Sequence, residues 1–287
     1  MGARSFIRRY PVAFYFLLVF IISWGGVLVA VGSSGMPATP EDAARLFPVA
    51  LITMLAGPFI SGLLLTGIVQ GKAGLITLLS KIGKWKLGVQ WYAVAIGLTP
   101  VVTGSTLWLL SQTWPGFLPN IVTSGDKVAL LVSGIGTGLA AGFFEELGWT
   151  GFAVRVLRLR RSIVATGLLV GLVWGLWHFL VTFWVSGDST GSISEDLVVP
   201  PLVFYLGVLP AYRVLMVWLY DRTESLLLSM LMHASLTACT TSLLLPPVTG
   251  APLVKYYLIL TVVMWVVIAN LLPGSWPIFQ KGSTKTP

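Results

Sequence analysis

The sequence predicts an all-α polytopic membrane protein of about eight transmembrane helices with both termini cytoplasmic. Three observations predict this. Hydrophobic residues make up 56% of the 287-residue chain and charged residues only 10%, where a soluble domain carries about 25% charged residues. Apolar runs of about 20 residues, the length that crosses a bilayer, recur between polar or Pro/Gly breaks. The basic residues then fall almost entirely on alternate connections.

Taken in order, the predicted spans are 12–31, 47–70, 90–110, 130–156, 162–185, 202–220, 225–245 and 253–272. The first follows Arg8 and Arg9. A basic start and an apolar run also describe a secretory signal, but this run is longer than a signal core and contains Trp24, so it reads as a retained span. Lys72, Lys81, Lys84 and Lys86 separate the second from the third, and Arg158, Arg160 and Arg161 separate the fourth from the fifth. The fourth apolar pattern runs past two glutamates toward Arg158. Arg222 closes the sixth, and Lys281 and Lys285 follow the eighth.

With the N-terminus cytoplasmic, 15 basic residues lie on that side, Arg213 counted among them, leaving Arg45, Lys127 and Lys255 outside. Short loops obey a positive-inside bias, so this asymmetry argues for both ends inside and an even number of spans. The outer loops carry Glu41, Asp42, Asp126, Asp188, Glu195 and Asp196. The formal net charge of +8 is therefore a topology signal and points to no nucleic-acid partner. Cys239, the single cysteine, excludes an intrachain disulfide and a cysteine-based metal site. No repeat, linker or low-complexity segment divides the chain, which reads as one membrane domain over 1–287.

Chemistry concentrates at a few residues. Glu145 and Glu146 sit inside LVSGIGTGLAAGFFEELGWTGF, two of only ten acidic residues. An ionised group at the bilayer centre costs about 2.5–3.5 kcal/mol even on the lenient insertion scale, so such groups mark functional sites. His178 and His233, the only histidines, also lie in apolar runs. Gly134, Gly138, Ala141 and Gly142 recur at three- and four-residue steps and lead to Glu145; small residues so spaced permit close helix approach. Glu146 lies about 100° around the helix, so Glu145 is expected to face the neighbouring helices and Glu146 to turn aside. Gly167, Gly171 and Gly175 form a second ridge, with Trp174 and His178 four apart beside it. Ser229, His233 and Thr237 form a polar stripe on the seventh span.

At about 1.5 Å per residue, Glu145 and His178 lie roughly 20 and 25 Å from the Arg158–Arg161 boundary, and His233 roughly 13 Å from Glu224. These depths suit one site in mid-membrane. Two chemistries fit it. In one, Glu145 and His178 deprotonate a water that attacks a peptide carbonyl, with His233 and Thr237 donating hydrogen bonds to the oxyanion. In the other, Glu145, His178 and His233 hold a zinc ion that activates the water. No HExxH pattern occurs, so zinc ligands would have to come from different helices. Ser229 and Thr237 also suit simple bonding to their own helix backbone.

The same residues resemble the CPBP intramembrane protease family, the type II CAAX prenyl endopeptidase-like proteins. The family pattern is Glu-Glu followed by an arginine, then an aromatic residue four before a histidine, then His-x-x-x-Asn, on successive apolar segments. Here these positions read Glu145-Glu146 to Thr150, Trp174 to His178, and His233 to Thr237. Gly57-Pro58 and Trp85 to Trp91-Tyr92 are similar to the family's earlier segments, so the likeness covers a core of about 50–245. It implies a hydrolase, a CAAX-protease-like enzyme, with Glu145, Glu146, His178, His233 and Thr237 as site residues and Glu145 and His178 activating water. It leaves open a glutamate-dependent or a metalloprotease mechanism. It further implies a membrane-embedded or lipid-anchored peptide or protein substrate. Eukaryotic members cut prenylated C-termini, and bacterial relatives are linked to bacteriocin immunity or peptide maturation. Compact size and short loops suit a bacterial inner membrane.

Two positions depart from the pattern. Thr150 stands where the family has arginine, and cannot form an ion pair; Arg155 points about 80° off that face. Thr237 replaces asparagine but keeps a hydroxyl donor. The missing arginine motivates a rival, a non-catalytic immunity or scaffolding protein on the same fold. A proton-coupled transporter ranks last, because the sequence shows no repeat or interrupted helix pair.

Overall fold

A computed structural model describes residues 3–272. Eight helices long and apolar enough to cross a membrane run in order: α1 Pro11–Val31, α2 Pro40–Ile82, α3 Val89–Ser111, α4 Lys127–Leu157, α5 Ile163–Trp184, α6 Glu195–Thr223, α7 Leu226–Leu243 and α8 Gly250–Leu271. All eight sequence-predicted spans are present. Among the described residues the only extended pairing is the single bridge Gly187–Ile193. Lys281 and Lys285 lie outside the described residues.

Local chemistry explains the helix ends. Pro11 and Pro40 open α1 and α2, where a missing backbone N–H costs nothing. The side chains of Thr39, Asp126, Ser162 and Ser225 accept from the backbone N–H three residues on, capping α2, α4, α5 and α7. The second helix extends beyond its predicted span because a break at Gly71 (φ 68°) joins two helical pieces. That left-handed φ favours glycine.

Small residues set the helix crossings. A Cβ at Gly138 or Gly142 would run into the carbonyl oxygens of Ala234 and Met230, so α4 lies directly on α7. Cβ atoms at Gly167, Gly171 and Gly175 would meet the backbone of Val214, Pro210 and Tyr205, so α5 lies on α6 in the same way. Gly62 and Gly148 bring α2 against α4. In the absence of a hydrophobic driving force inside lipid, such close backbone approach is what holds helices together. The first helix is part of the bundle: Ser23 donates to the Met54 carbonyl at 2.7 Å, and the Trp24 indole to the Trp177 carbonyl at 2.9 Å.

The loops gather at two ends. At the basic end Lys81 pairs with Glu224 at 3.0 Å and Arg158 with Asp221 at 2.9 Å, while Arg155 donates to Gln70 at 2.9 Å. Lys81 holds the exposed Glu224 carboxyl below its usual range; that link is present at neutral pH and is lost as pH falls through the depressed value. At the opposite end Ala38 N–H donates to Trp184 O and Asn120 N–H to Leu245 O.

One charge is not where the sequence places it. The positive-inside count puts Arg213 at the boundary; it is instead fully buried within α6, its guanidinium 2.9 Å from Glu146. Positive-inside counting treats every arginine as a boundary charge. It cannot recognise one that is neutralised from another helix.

Candidate active site

The site lies where α4, α5, α6 and α7 meet, and the glycine ridges put it there. Close packing of α4 on α7 sets both glutamates beside His233, and close packing of α5 on α6 sets Trp174 beside Arg213. Just beyond the glutamates the backbone widens into a π-helical stretch, Trp149–Val154, of the kind often found at functional sites.

Glu146 is fully buried and fully engaged. Arg213 Nη1 donates to both of its oxygens at 2.9 Å, and the Thr150 hydroxyl donates to Oε2. The Nδ1 nitrogen of His233 lies 2.7 Å from Oε1. Glu145 is held differently. Its Oε2 accepts the indole N–H of Trp174 at 2.8 Å and that of Trp149 at 3.2 Å. Its Oε1 lies 3.9 Å from His233 Nε2. The imidazole of His233 thus stands between the two carboxylates, one ring nitrogen toward each.

This corrects the expectation for Glu146. The two glutamates are about 100° apart on the helix, yet neither turns aside, because His233 projects between them and each side chain reaches one edge of its ring. It also corrects the expectation of an absent ion pair: Arg213 supplies the guanidinium that position 150 lacks. Within the cluster the Arg213 guanidinium is paired with the Glu146 carboxylate, both fully buried. A charge in a low-dielectric site is tolerated when it is paired and hydrogen-bonded in this way.

Trp174 is the centre of the arrangement. Besides bonding Glu145, its ring packs edge-on against His233 at 4.9 Å and lies 4.1 Å from the Arg213 guanidinium carbon. A cation stacked on indole in a desolvated setting is attracted by about 2 kcal/mol. His178, one turn along α5, has its Nδ1 2.8 Å from the Trp174 carbonyl oxygen. A carbonyl only accepts, so Nδ1 carries a proton. The ring stacks on Tyr205 at 4.9 Å.

The remaining predicted residues sit close by. No hydrogen bond joins Glu145 to His178; they are linked through Trp174. Thr237 is half-buried one turn beyond His233, and its hydroxyl makes no hydrogen bond among the described residues. Ser229 bonds the Ser225 carbonyl of its own helix at 3.4 Å, the structural role open to it in the sequence. Among the described residues no group of three or more His, Cys, Asp or Glu side chains is placed to hold a metal ion.

Sequence reasoning missed Arg213, Trp149 and the central role of Trp174. A signal for Arg213 did exist: it lies in the apolar stretch YLGVLPAYRVLMVWLY, nine residues before the boundary arginine at 222.

Comparison with known proteins matches the segment in which these residues lie. Residues 127–239 match the family model described as Type II CAAX prenyl endopeptidase Rce1-like. The chain is also 33% identical over 96 residues to CAAX prenyl protease 2 of Methanococcus maripaludis. That stretch covers 33% of this chain and 35% of the relative, so the likeness spans about a third of the relative's length. The resemblance read from the sequence is borne out over the segment that carries Glu145, Glu146, His178, Arg213 and His233.

Proposed function

We propose that this protein is an intramembrane endopeptidase that hydrolyses a peptide bond in a membrane-embedded or lipid-anchored peptide or protein. The observation that carries this reading is the buried Glu145 carboxylate, fixed through one oxygen by two indoles while the other faces His233 Nε2. A fixed carboxylate with a free oxygen is what general-base catalysis needs.

In this reading Glu145 Oε1 takes a proton from a water whose oxygen attacks the scissile carbonyl carbon. His178 joins Glu145 in orienting that water. The carbonyl oxygen becomes an oxyanion and accepts a hydrogen bond from His233 Nε2–H, with the Thr237 hydroxyl as the second donor. Collapse of the tetrahedral species breaks the C–N bond, and the proton held by Glu145 passes to the leaving amine. Glu146 touches no reacting atom and holds His233. No step runs through a metal. Cleavage is therefore expected to persist in a strong chelator, and elemental analysis to find no stoichiometric zinc; chelator-abolished, zinc-restored activity would sink this version.

The named relative suggests a lipid-anchored C-terminal peptide as substrate. The 1–287 chain would act as one membrane domain with its protease core at about 50–245, the basic end facing the cytoplasm of a bacterial inner membrane. The rival, a non-catalytic immunity or scaffolding role, is motivated by Thr150 in place of arginine; the buried Arg213–Glu146 pair supports the catalytic reading over it.

The general test compares the termini of membrane peptides in cells carrying wild type and Glu145→Ala. Termini present only with wild type support the reading, and identical sets overturn it. A finer prediction concerns the indole. Trp174→Phe keeps a ring against His233 and Arg213 but deletes the N–H donated to Glu145. A hydrogen bond to a charged group contributes about 1.5–3 kcal/mol to stability, so the melting temperature should drop modestly and kcat/KM should fall about 10- to 100-fold as Glu145 loses its hold.

A further inference from the structure

The buried guanidinium sits on an unexpected helix. The resemblance expects an arginine at position 150, one turn beyond Glu146 on α4. Position 150 is instead a threonine whose hydroxyl bonds Glu146 Oε2, and Arg213 reaches the same carboxylate from α6. Both side chains are buried, Thr150 at 1% exposure and Arg213 at 0%. Gly171 on α5 makes the arrangement possible: a Cβ there would meet Pro210 Cα and Arg213 Cβ, so a larger residue would push the arginine off its line to Glu146. The Trp174 ring then covers the guanidinium from one side.

We infer that Arg213 is a positioning residue of the proposed endopeptidase, taking from α6 the place of the guanidinium that the family pattern has at position 150, and acting through Glu146 to set the ring of His233. Arg213 keeps Glu146 as an anion. An anionic Glu146 accepts from His233 Nδ1–H, and that bond fixes the ring so that Nε2 faces Glu145 and the reacting carbonyl. Arg213 itself touches neither water nor substrate. Because the guanidinium needs only to reach Glu146, either helix can deliver it, and the small Thr150 side chain leaves room for delivery from α6.

This inference rests on the endopeptidase reading, so its test needs one readout that does not require activity. Only two histidines are present, and their ring nitrogens can be followed by ¹⁵N-histidine NMR on the full-length chain in detergent micelles. The variants are Arg213→Ala, Arg213→Ala with Thr150→Arg, and Arg213→Leu with Glu146→Gln. In Arg213→Ala the Nδ1 resonance of His233 is expected to move while His178 stays in place, and kcat to fall about 100-fold or more with an altered pH profile. The double variant with Thr150→Arg returns the guanidinium to α4 and should move the resonance back and recover at least tenfold in kcat. If Arg213→Ala does not fold, Arg213→Leu with Glu146→Gln removes both buried charges at once; it should fold yet leave His233 displaced and the rate low. An unmoved His233 resonance in these variants, or no recovery on adding Thr150→Arg to a folded Arg213→Ala, overturns the inference. A wild type without cleavage but with the expected NMR pattern would instead sink the endopeptidase reading and leave the Arg213–Glu146–His233 linkage standing.

Discussion

Glu145→Gln is expected to abolish turnover while leaving the fold intact. Glutamine keeps an oxygen for the indole N–H groups of Trp149 and Trp174 but cannot accept the proton of the attacking water. General-base catalysis contributes about 10²- to 10⁴-fold, so kcat should fall by at least about 10²-fold with KM little changed. Stability should move by no more than about 1 kcal/mol, since the neutral side chain retains its hydrogen bonds. The neighbouring change gives the contrast. Glu146→Gln leaves Arg213 buried without a counter-charge, and breaking a buried pair costs about 3–5 kcal/mol. Melting in detergent, read beside peptide cleavage, separates the two: Glu145→Gln should lose activity alone, and Glu146→Gln activity and stability together. Equal behaviour of the two variants would contradict the division of roles.

Gly142→Val should have the largest structural effect. Its Cβ would be driven into the Met230 carbonyl oxygen, and backbone packed on backbone cannot yield as a flexible side chain can. Overpacking costs about 1–3 kcal/mol or more, and here α4 and α7 must part. Separating those helices also separates Glu145 and Glu146 from His233, so activity should vanish even in protein that remains folded. Gly136→Ala on the same helix is the control. A Cβ there meets nothing within 4 Å, and alanine favours helix over glycine by about 1 kcal/mol, so that variant should be neutral or slightly more stable. A Gly142→Val protein that melts like wild type would remove the close-packing argument.

The same contact shows why part of the site was legible in the sequence. Glycines at three- and four-residue steps have one physical use in an apolar helix, which is to let another backbone come near. They therefore indicate which faces of α4 and α5 are buried, and they put Glu145 on the inward side, where it is buried. Which helix each ridge meets was not written locally. The α4 ridge meets α7 and the α5 ridge meets α6, and these choices placed His233 between the glutamates and brought Arg213 under Trp174.

Composition, apolar run length and the alternation of basic loops sufficed for eight membrane helices, because crossing a bilayer imposes a length and a hydropathy on each segment by itself. Rarity sufficed to single out the glutamates and histidines, because each buried charge carries a cost that a local sequence can reveal. Charge pairing was beyond such reasoning. Arg213 and Glu146 are 67 positions apart, and neither signals the other along the chain. Only the crossing of α4, α5, α6 and α7 decided that an arginine counted at the boundary would neutralise a glutamate thought to turn aside.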